Sequence, residues 1–179
     1  LYTGVERSLP EPLSEDDRSR QAADLARLAA VRNDRVRAAD AYFADHAEQW
    51  DAIRSLHVAE AEVEAAMRAL LDGDPVGRLL DIGTGTGRVV ELFGAEALCV
   101  TAIDRSPDML RLARAKLPDD AGDRYALVIG DFMDLPVESG AADTVVLHQV
   151  LHYAQAPEQV IAEAARACAP DGRVLIVDF

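Results

Sequence analysis

The chain has 179 residues, of which 50% are hydrophobic, and its formal net charge at pH 7 is −14. This length and hydrophobic content fit one folded domain with a sizeable core and exclude a disordered tail. The negative charge argues against nucleic acid or an anionic membrane surface as a direct partner of this chain. The sequence has neither an apolar run near the ~20 residues of a membrane helix nor a signal-peptide pattern, which predicts a cytoplasmic protein.

The first 72 residues predict a helical extension. Residues 1–19 contain two prolines and a charged run, a composition typical of a linker or a loose arm. Residues 20–72 are rich in alanine and lack proline and glycine from Gln21 to Leu71, which predicts two or three helices. These N-terminal helices also suggest one protein partner, a second copy of the chain in a homodimer.

Residues 73–179 predict an α/β domain in which strands and helices alternate. The strand candidates are 78–82, 98–103, 125–129, 143–148 and 173–178, and the helix candidates are 86–95, 106–116 and 157–169. Such alternation implies right-handed β-α-β units, so the predicted fold is a doubly wound, mostly parallel sheet. Because the last strand candidate runs to the end of the chain, we expect the sequence to be a piece of a longer protein.

Residues 78–87, with the sequence RLLDIGTGTG, contain the most informative pattern of the chain. An apolar run typical of a buried strand ends near Asp81 and enters a loop with glycine at every second position. Glycine lets a backbone turn sharply and lie close to a ligand, and a strand, a glycine loop and a helix form the nucleotide-binding corner of doubly wound domains. The dinucleotide pattern G-x-G-x-x-G requires a third glycine where this chain has Arg88, which disfavours a nicotinamide-dependent oxidoreductase.

The acidic G-x-G-x-G pattern resembles motif I of the class I methyltransferases that use S-adenosyl-L-methionine (SAM). The resemblance covers roughly residues 40–179 and implies a Rossmann-like fold with SAM as cofactor. The residues that it implies for the SAM site in this loop are Asp81, Gly83, Thr84, Gly85 and Gly87. In this interpretation Asp81 offers an anion to the amino and sulfonium groups of SAM, and backbone amides meet its carboxylate. The alternative is a structural turn with a helix cap.

An acidic residue also ends the second strand candidate, at Asp104, 23 positions after Asp81. A carboxylate at about this distance beyond the glycine loop is placed to accept hydrogen bonds from both ribose hydroxyls and to repel a ribose 2′-phosphate. The competing interpretation of Asp104 is an ordinary turn residue at a strand end.

The segment that begins at Asp104 resembles the family's D-x-S-x-x-M pattern. Within it, Ser106 is expected to cap the next helix and Pro107 to occupy the first helical turn. The resemblance adds Arg105 and Met109 to the cofactor site, although Met109 fits the protein core equally well as a flank of the adenine ring.

The ends of the third and fourth strand candidates complete the predicted site. The resemblance implies that Asp131 accepts from the adenine amino group and that Phe132 adds an apolar wall. His148 and His152 lie in a segment that lines the donor and acceptor pocket in the family, and their spacing would let them share a helical face. A zinc pair is disfavoured because neither H-E-x-x-H nor a third ligand is present. Their functional interpretation is a general base for an acidic acceptor, and the alternative is packing alone.

Two further segments resemble the family. Residues 42–51, with the sequence YFADHAEQWD, resemble an N-terminal segment that forms a lid over the cofactor in small-molecule methyltransferases; the alternative is an amphipathic helix with an aromatic core face. Residues 169–173 contain the Pro-Asp-Gly turn that is typical before the fifth strand of the family.

Together these features predict a SAM-dependent methyltransferase that acts on a small organic acceptor and resembles the quinone-type C- and O-methyltransferases. The cofactor supplies the reactive methyl group, so the enzyme needs alignment and dry surroundings rather than a nucleophilic triad. The alternative is a non-catalytic SAM-binding regulatory domain attached to a DNA-binding winged-helix repressor domain, because the arginine-rich first helix resembles the linker of such fusions.

Overall fold

The computed structural model describes residues 14–46, 60–118 and 121–178, so residues 47–51 of the lid-like segment lie outside it. The chain divides into two compact units, residues 1–39 and residues 40–179. The described helices are α1 (Glu15–His46), α2 (Glu60–Leu71), α3 (Arg88–Phe93), α4 (Pro107–Ala115) and α5 (Pro157–Ala167). The described strands are β1 (Arg78–Ile82), β2 (Cys99–Asp104), β3 (Tyr125–Ile129), β4 (Ala142–His148) and β5 (Cys168–Val177).

Helix α1 begins earlier than the sequence pattern suggested. Residues 15–19 were expected in a loose arm, but they form its first turn, where Glu15, Asp16 and Asp17 face the positive end of the helix dipole. Ser14 caps this end, because its hydroxyl accepts a hydrogen bond from the Asp17 backbone amide at 3.1 Å. The charged run that indicated a linker is therefore a helix start.

No helix among the described residues is both long and apolar enough to cross a membrane.

All five strands are parallel, in the order β3-β2-β1-β4-β5. The chain builds outward from β1 through β2 to β3 and then crosses to the other side of β1 to form β4 and β5. The strand order thus reverses between β1 and β4. In sheets of this type the ligand crevice lies at such a reversal, outside the carboxyl ends of the two strands. The predicted doubly wound parallel sheet is confirmed.

Side chains of successive residues in β1 alternate between two hydrophobic cores, one on each face of the sheet. Leu79 packs with Met67 and Leu71 of α2 and with Phe93 of α3. Leu80 and Ile82 belong to the opposite core, which also holds Val160 of α5. Burial on both faces explains why the central strands β1 and β4 read as apolar runs in the sequence.

All three helices predicted in the α/β domain are shorter than expected, because residues next to their ends adopt non-helical backbone or act as caps. Gly87 has φ of 85°, in the left-handed region, so α3 begins at Arg88 instead of residue 86. Cys168 is extended, with φ of −73° and ψ of 136°, so α5 ends at Ala167 instead of residue 169. The N-cap predicted for α4 is confirmed, since the Ser106 hydroxyl accepts from the Met109 amide at 3.3 Å and Pro107 follows in the first turn.

The predicted Pro-Asp-Gly turn is an interruption inside β5. Cys168 pairs with Ala142, whereas the next pair joins Arg173 to Thr144, so residues 169–172 lie opposite the single residue Asp143. The hydrogen-bonded pairing of β4 and β5 is therefore interrupted at the segment that contains Pro170, which has no backbone N–H to donate. Strand β5 therefore begins five residues before the predicted start at 173.

Helix α2 is tied to α3 by an ion pair that uses the residue in place of the third glycine. The Arg88 guanidinium donates to both oxygens of Glu64, through Nε at 2.6 Å and Nη2 at 2.7 Å. The two side chains are 32% and 15% exposed. A bidentate pair of this kind is stronger than a surface contact because it is partly shielded from water and fixed in geometry.

We expect Glu64→Gln to lower the free energy of unfolding by about 1–2 kcal/mol, because the half-buried Arg88 loses a charged partner. The control is Glu62→Gln, which removes the same charge from an exposed position of the same helix and is expected to cost less than about 0.5 kcal/mol. Urea denaturation of both variants measures the difference. Equal values for the two variants would contradict the assignment of Glu64 as an anchor.

Candidate functional site

The glycine loop leaves β1 at the point where the strand order reverses. The backbone amides of Gly83 and Thr84 both donate to the carbonyl of Ile103 in β2, at 2.8 and 2.9 Å. The amide of Gly87 then donates to the Thr84 carbonyl at 2.9 Å, which closes a tight turn before α3. The loop is thus fastened to the neighbouring strand and held at the mouth of the crevice.

Each glycine of the loop has positive φ, of 71° at Gly83, 54° at Gly85 and 85° at Gly87. Their surroundings differ. A Cβ on Gly83 would lie 2.3 Å from Cγ2 of Val150, in the segment after β4, whereas a Cβ on Gly85 would meet nothing within 4 Å. The backbone of Gly83 therefore packs directly against the post-β4 segment, and the space beside Gly85 is open to a ligand.

Asp81 is a buried carboxylate that accepts no hydrogen bond from the described part of the chain. Its side chain is 1% exposed, and neither oxygen has a hydrogen bond from any described residue; the same holds for the hydroxyl of Thr84. Burial raises the pKa of Asp81 to about 7; the nearby Thr84 side chain opposes the rise, and the negative charge of Asp104 adds to it. Because unsatisfied buried carboxylates are costly, Asp81 indicates that a positively charged or hydrogen-bonding group is expected here.

Asp104 fastens the glycine loop to the segment that follows β2. One of its oxygens accepts from the Gly85 amide and the other from the Ser106 amide, both at 2.8 Å. Burial raises the pKa of Asp104, although these amide donors and the positive charge of Arg105 oppose the rise. Each carboxylate oxygen keeps a further lone pair, so the group can also accept from ribose hydroxyls as predicted.

The other predicted cofactor residues lie in the neighbouring loops. Arg105 follows Asp104 and is exposed, whereas Met109 is 2% exposed in the first turns of α4. The Asp131 carboxylate accepts from the Met133 amide at 2.9 Å in the loop after β3, and Phe132 packs against the core that contains Ile103. The Gly130 amide donates to the Asp104 carbonyl at 3.1 Å, which brings this loop beside the previous one.

The two histidines do not share a helical face, as their spacing suggested they could. His148 is the last residue of β4 and pairs with Val177, whereas His152 lies in a short 3-10 turn, Leu151–Tyr153. Between them Gln149 has φ of 53°, the one positive value at a residue other than glycine among the described residues. This kink ends the strand and changes the direction of the backbone between the two histidines. The i, i+4 spacing in the sequence gives no sign of such a change.

One candidate site residue, Asp178, was not singled out in the sequence. It follows β5 directly and contacts the His152 ring, with 2.6 Å between its Oδ1 and the ring Nδ1. An acidic residue after an apolar strand is the same signal that identified Asp81 and Asp104. Asp178 shows this signal too, but the sequence pattern placed it inside the strand candidate 173–178, as its last residue.

The site fits SAM on chemical grounds. The ammonium and sulfonium of SAM need an anionic neighbour, and Asp81 is a buried carboxylate that lacks a partner. The ribose needs an acceptor near the loop, and the Asp104 carboxylate lies there on the Gly85 amide, beside the open space at Gly85. These residues lie at the carboxyl ends of β1 and β2, the crevice position expected for this fold.

Comparison with known proteins gives a consistent result. A family model described as a methyltransferase domain matches residues 80–176. An uncharacterized methyltransferase of Mycobacterium tuberculosis is 33% identical over 100 residues, which cover 56% of this chain and 39% of that protein. The demethylmenaquinone methyltransferase of Renibacterium salmoninarum is 30% identical over 105 residues, covering 59% of this chain and 42% of that protein. The chain thus spans about two fifths of the length of these curated relatives.

Among solved structures, the DhpI–SAM–HEP complex superposes on this chain with a TM-score of 0.64 and 26% sequence identity. The match covers 77% of this chain and 63% of the other. The name of the matched structure includes SAM.

We expect Gly83→Ala to destabilise the protein more than Gly85→Ala. Both substitutions place an alanine at positive φ, at a cost of about 1–2 kcal/mol, but only Gly83→Ala also collides with Val150. That collision adds about 1–3 kcal/mol. Val150→Ala removes the two methyl groups but leaves Cβ at 2.9 Å, so in that background the cost of Gly83→Ala should fall while staying above that of Gly85→Ala. Denaturation of the single and double variants measures these costs, and an unchanged cost in that background would show that Val150 does not restrict the loop.

Proposed function

The chain belongs to the methyltransferase domain family, and from that premise we propose that it transfers a methyl group from SAM to a small organic acceptor. The family match over residues 80–176 and the fold support SAM as the cofactor. The observation that carries the proposal is the buried carboxylate of Asp81, just before the glycine loop, which none of the described residues satisfies with a hydrogen bond. A structural turn would have no reason to retain such a group, whereas a site for a cationic ligand needs it.

The residues of the site have distinct tasks in this proposal. Bound SAM supplies an electrophilic methyl group on a positively charged sulfur. Asp81 holds the cationic amino acid end, and Asp104 accepts from the ribose while it fixes Gly85. Asp131 and Phe132 are proposed to contact the adenine, and Met109 to support it from α4. Orientation in a crevice that excludes water accounts for most of the catalysis that such a reaction needs.

A small organic acceptor, of the quinone type, is supported by the resemblance found in the sequence and by the relative named demethylmenaquinone methyltransferase. His148 and His152 are proposed as acceptor-side residues, because their segment packs on the glycine loop through Val150. The alternative function, a SAM-binding regulatory domain, makes the opposite prediction in a transfer assay, since SAM would bind and no acceptor would be methylated.

Two other features stay predictions. A homodimer through the N-terminal helices is supported by three exposed apolar residues spaced three apart in α1, Leu25, Leu28 and Val31, with exposures of 59%, 45% and 51%. The cytoplasmic location rests on the sequence alone. Sedimentation of the full-length protein measures whether it forms this homodimer.

We expect calorimetric titration of the full-length protein to show binding of SAM and of its demethylated product, and none of NAD. Asp104→Ala should weaken SAM binding by about 1–3 kcal/mol, because the ribose loses a charged acceptor and Gly85 loses its anchor. The control Asp108→Asn changes an exposed carboxylate in the same segment and should leave affinity within about twofold. Unchanged affinity in Asp104→Ala would refute the role of this residue, and tighter binding of NAD than of SAM would refute the function.

We expect Asp81→Asn to stabilise the ligand-free protein while it weakens SAM binding. The native pKa of about 7 lies above the unfolded value of about 4, so between these pH values the native state holds a proton that the unfolded state releases. Asp81 therefore makes stability fall as pH rises through this window, by a few kcal/mol at most. The stability gained in Asp81→Asn should grow between pH 5 and pH 8.

Urea denaturation at the two pH values, with SAM titration at pH 7.5, tests this expectation. The exposed carboxylate of Asp123 provides the matched control, Asp123→Asn, whose effect on stability should change little over the same range. A gain that does not depend on pH, or an unchanged SAM affinity, would show that Asp81 is not an ionisable ligand group.

A further inference from the structure

His152 and Asp178 form a side-chain pair at the carboxyl ends of β4 and β5. The ring Nδ1 of His152 lies 2.6 Å from Oδ1 of Asp178, and the side chains are 24% and 15% exposed. The other oxygen of Asp178 accepts from the backbone amides of Leu151 and His152, at 2.7 and 3.1 Å. Asp178 therefore holds both the imidazole and the turn that carries it.

This pair is rigidly connected to the glycine loop. His148 pairs with Val177, and the Gln149 amide donates to the Val177 carbonyl at 2.7 Å, so Asp178 follows directly from a paired strand end. Val150, between Gln149 and the turn, touches the backbone of Gly83. The strained backbone of Gln149 persists here because these contacts fix the chain on both sides.

The contact with Asp178 decides which ring nitrogen of His152 can take a proton. An ionised carboxylate only accepts hydrogen bonds, so Nδ1 of the neutral ring must carry the hydrogen. The lone pair that can accept a proton then lies on Nε2, at the opposite side of the ring. A histidine fixed in this tautomer by a carboxylate is the arrangement that proteins use to make a general base.

We propose that His152 is the general base for a hydroxyl acceptor of the phenol or enol class, and that Asp178 is the residue that positions it. This inference rests on the proposed methyltransferase function and specifies its acceptor. The acceptor oxygen forms a bond to the methyl carbon while the carbon–sulfur bond breaks and its electron pair stays on sulfur. The hydroxyl proton passes to Nε2 of His152 and leaves to solvent after the product departs.

The need for a base selects this acceptor class. A phenol has a pKa near 10, as in tyrosine, so at neutral pH it carries a proton that must leave as the methyl group arrives. A carboxylic acid is already ionised at this pH and needs no base. A neutral amine attacks through its lone pair and can lose its proton afterwards.

The first test reads the tautomer of His152 by long-range ¹H–¹⁵N spectra of the full-length protein at pH 8, with His152→Gln to assign its signals. The wild type should carry hydrogen on Nδ1. In Asp178→Asn, the backbone amides of Leu151 and His152 require the carbonyl oxygen of the new amide on their side, so its NH₂ donates to Nδ1 and moves the hydrogen to Nε2. Hydrogen on Nε2 in the wild type, or no change in the variant, would overturn the role of Asp178.

The second test measures methyl transfer from labelled SAM to four probes, catechol, 1,4-dihydroxynaphthalene, benzoic acid and benzylamine. Transfer to either of the first two is expected, and Asp178→Asn and His152→Gln should each slow it by about 10²-fold or more. SAM affinity should stay within about twofold in both variants. The control Asp171→Asn removes an exposed carboxylate from the same strand and should transfer at the wild-type rate.

The outcomes separate this inference from the function on which it rests. Absence of SAM binding to the wild type would refute both. SAM binding with transfer only to benzoic acid or benzylamine would overturn the acceptor class alone. SAM binding with transfer to none of the four probes would overturn the acceptor class and favour the regulatory function over methyl transfer. Transfer at the wild-type rate in Asp178→Asn, with SAM affinity retained, would overturn the positioning role alone.

Discussion

Strand β1 has no free edge, and this constraint determines where everything else in the domain can lie. It pairs with β2 on one side and β4 on the other, so the chain that leaves its carboxyl end can rejoin the sheet only by crossing over outside it. The turn is crowded by Val150 from the segment after β4, and only a residue without Cβ fits at Gly83. The glycine loop, the β2 end and the post-β4 turn are consequently packed into one crevice.

Carboxylates at the two ends of the sheet experience opposite environments. At the amino end, Asp143 accepts three hydrogen bonds from Arg78, and this pairing lowers the pKa of Asp143 to about 2. At the carboxyl end, Asp81 has no such partner and burial raises its pKa to about 7. The amino end of the sheet therefore holds a stabilising ion pair, whereas the Asp81 carboxylate at the carboxyl end is uncompensated. Proteins retain such a group where a ligand supplies the compensation.

The sequence predicted the strands well because each contains a short apolar run, and the inner strands β1, β2 and β4 are largely buried. The boundaries of β1 and β3 are those observed, and β2 and β4 differ by one residue. The errors have local causes. A left-handed glycine shortened α3, a capping serine lengthened α1, and the kink at Gln149 separated two histidines whose spacing suggested a helix. Capping and backbone kinks depend on single residues and their contacts, which periodicity does not register.

The site shows a deeper limit of sequence reasoning. Asp81, Asp104 and Asp178 all stand at or near the ends of apolar strands, and the pattern treats them alike. Their chemistry differs because of the donors that the fold brings to them. Asp81 meets none from the described residues, Asp104 meets two loop amides, and Asp178 meets two amides and an imidazole. Those donors come from segments 2 to 27 residues away in the chain, so the role of each carboxylate is set by strand order. A motif locates the charge, and topology decides whether it meets no donor among the described residues, fixes a loop or contacts an imidazole.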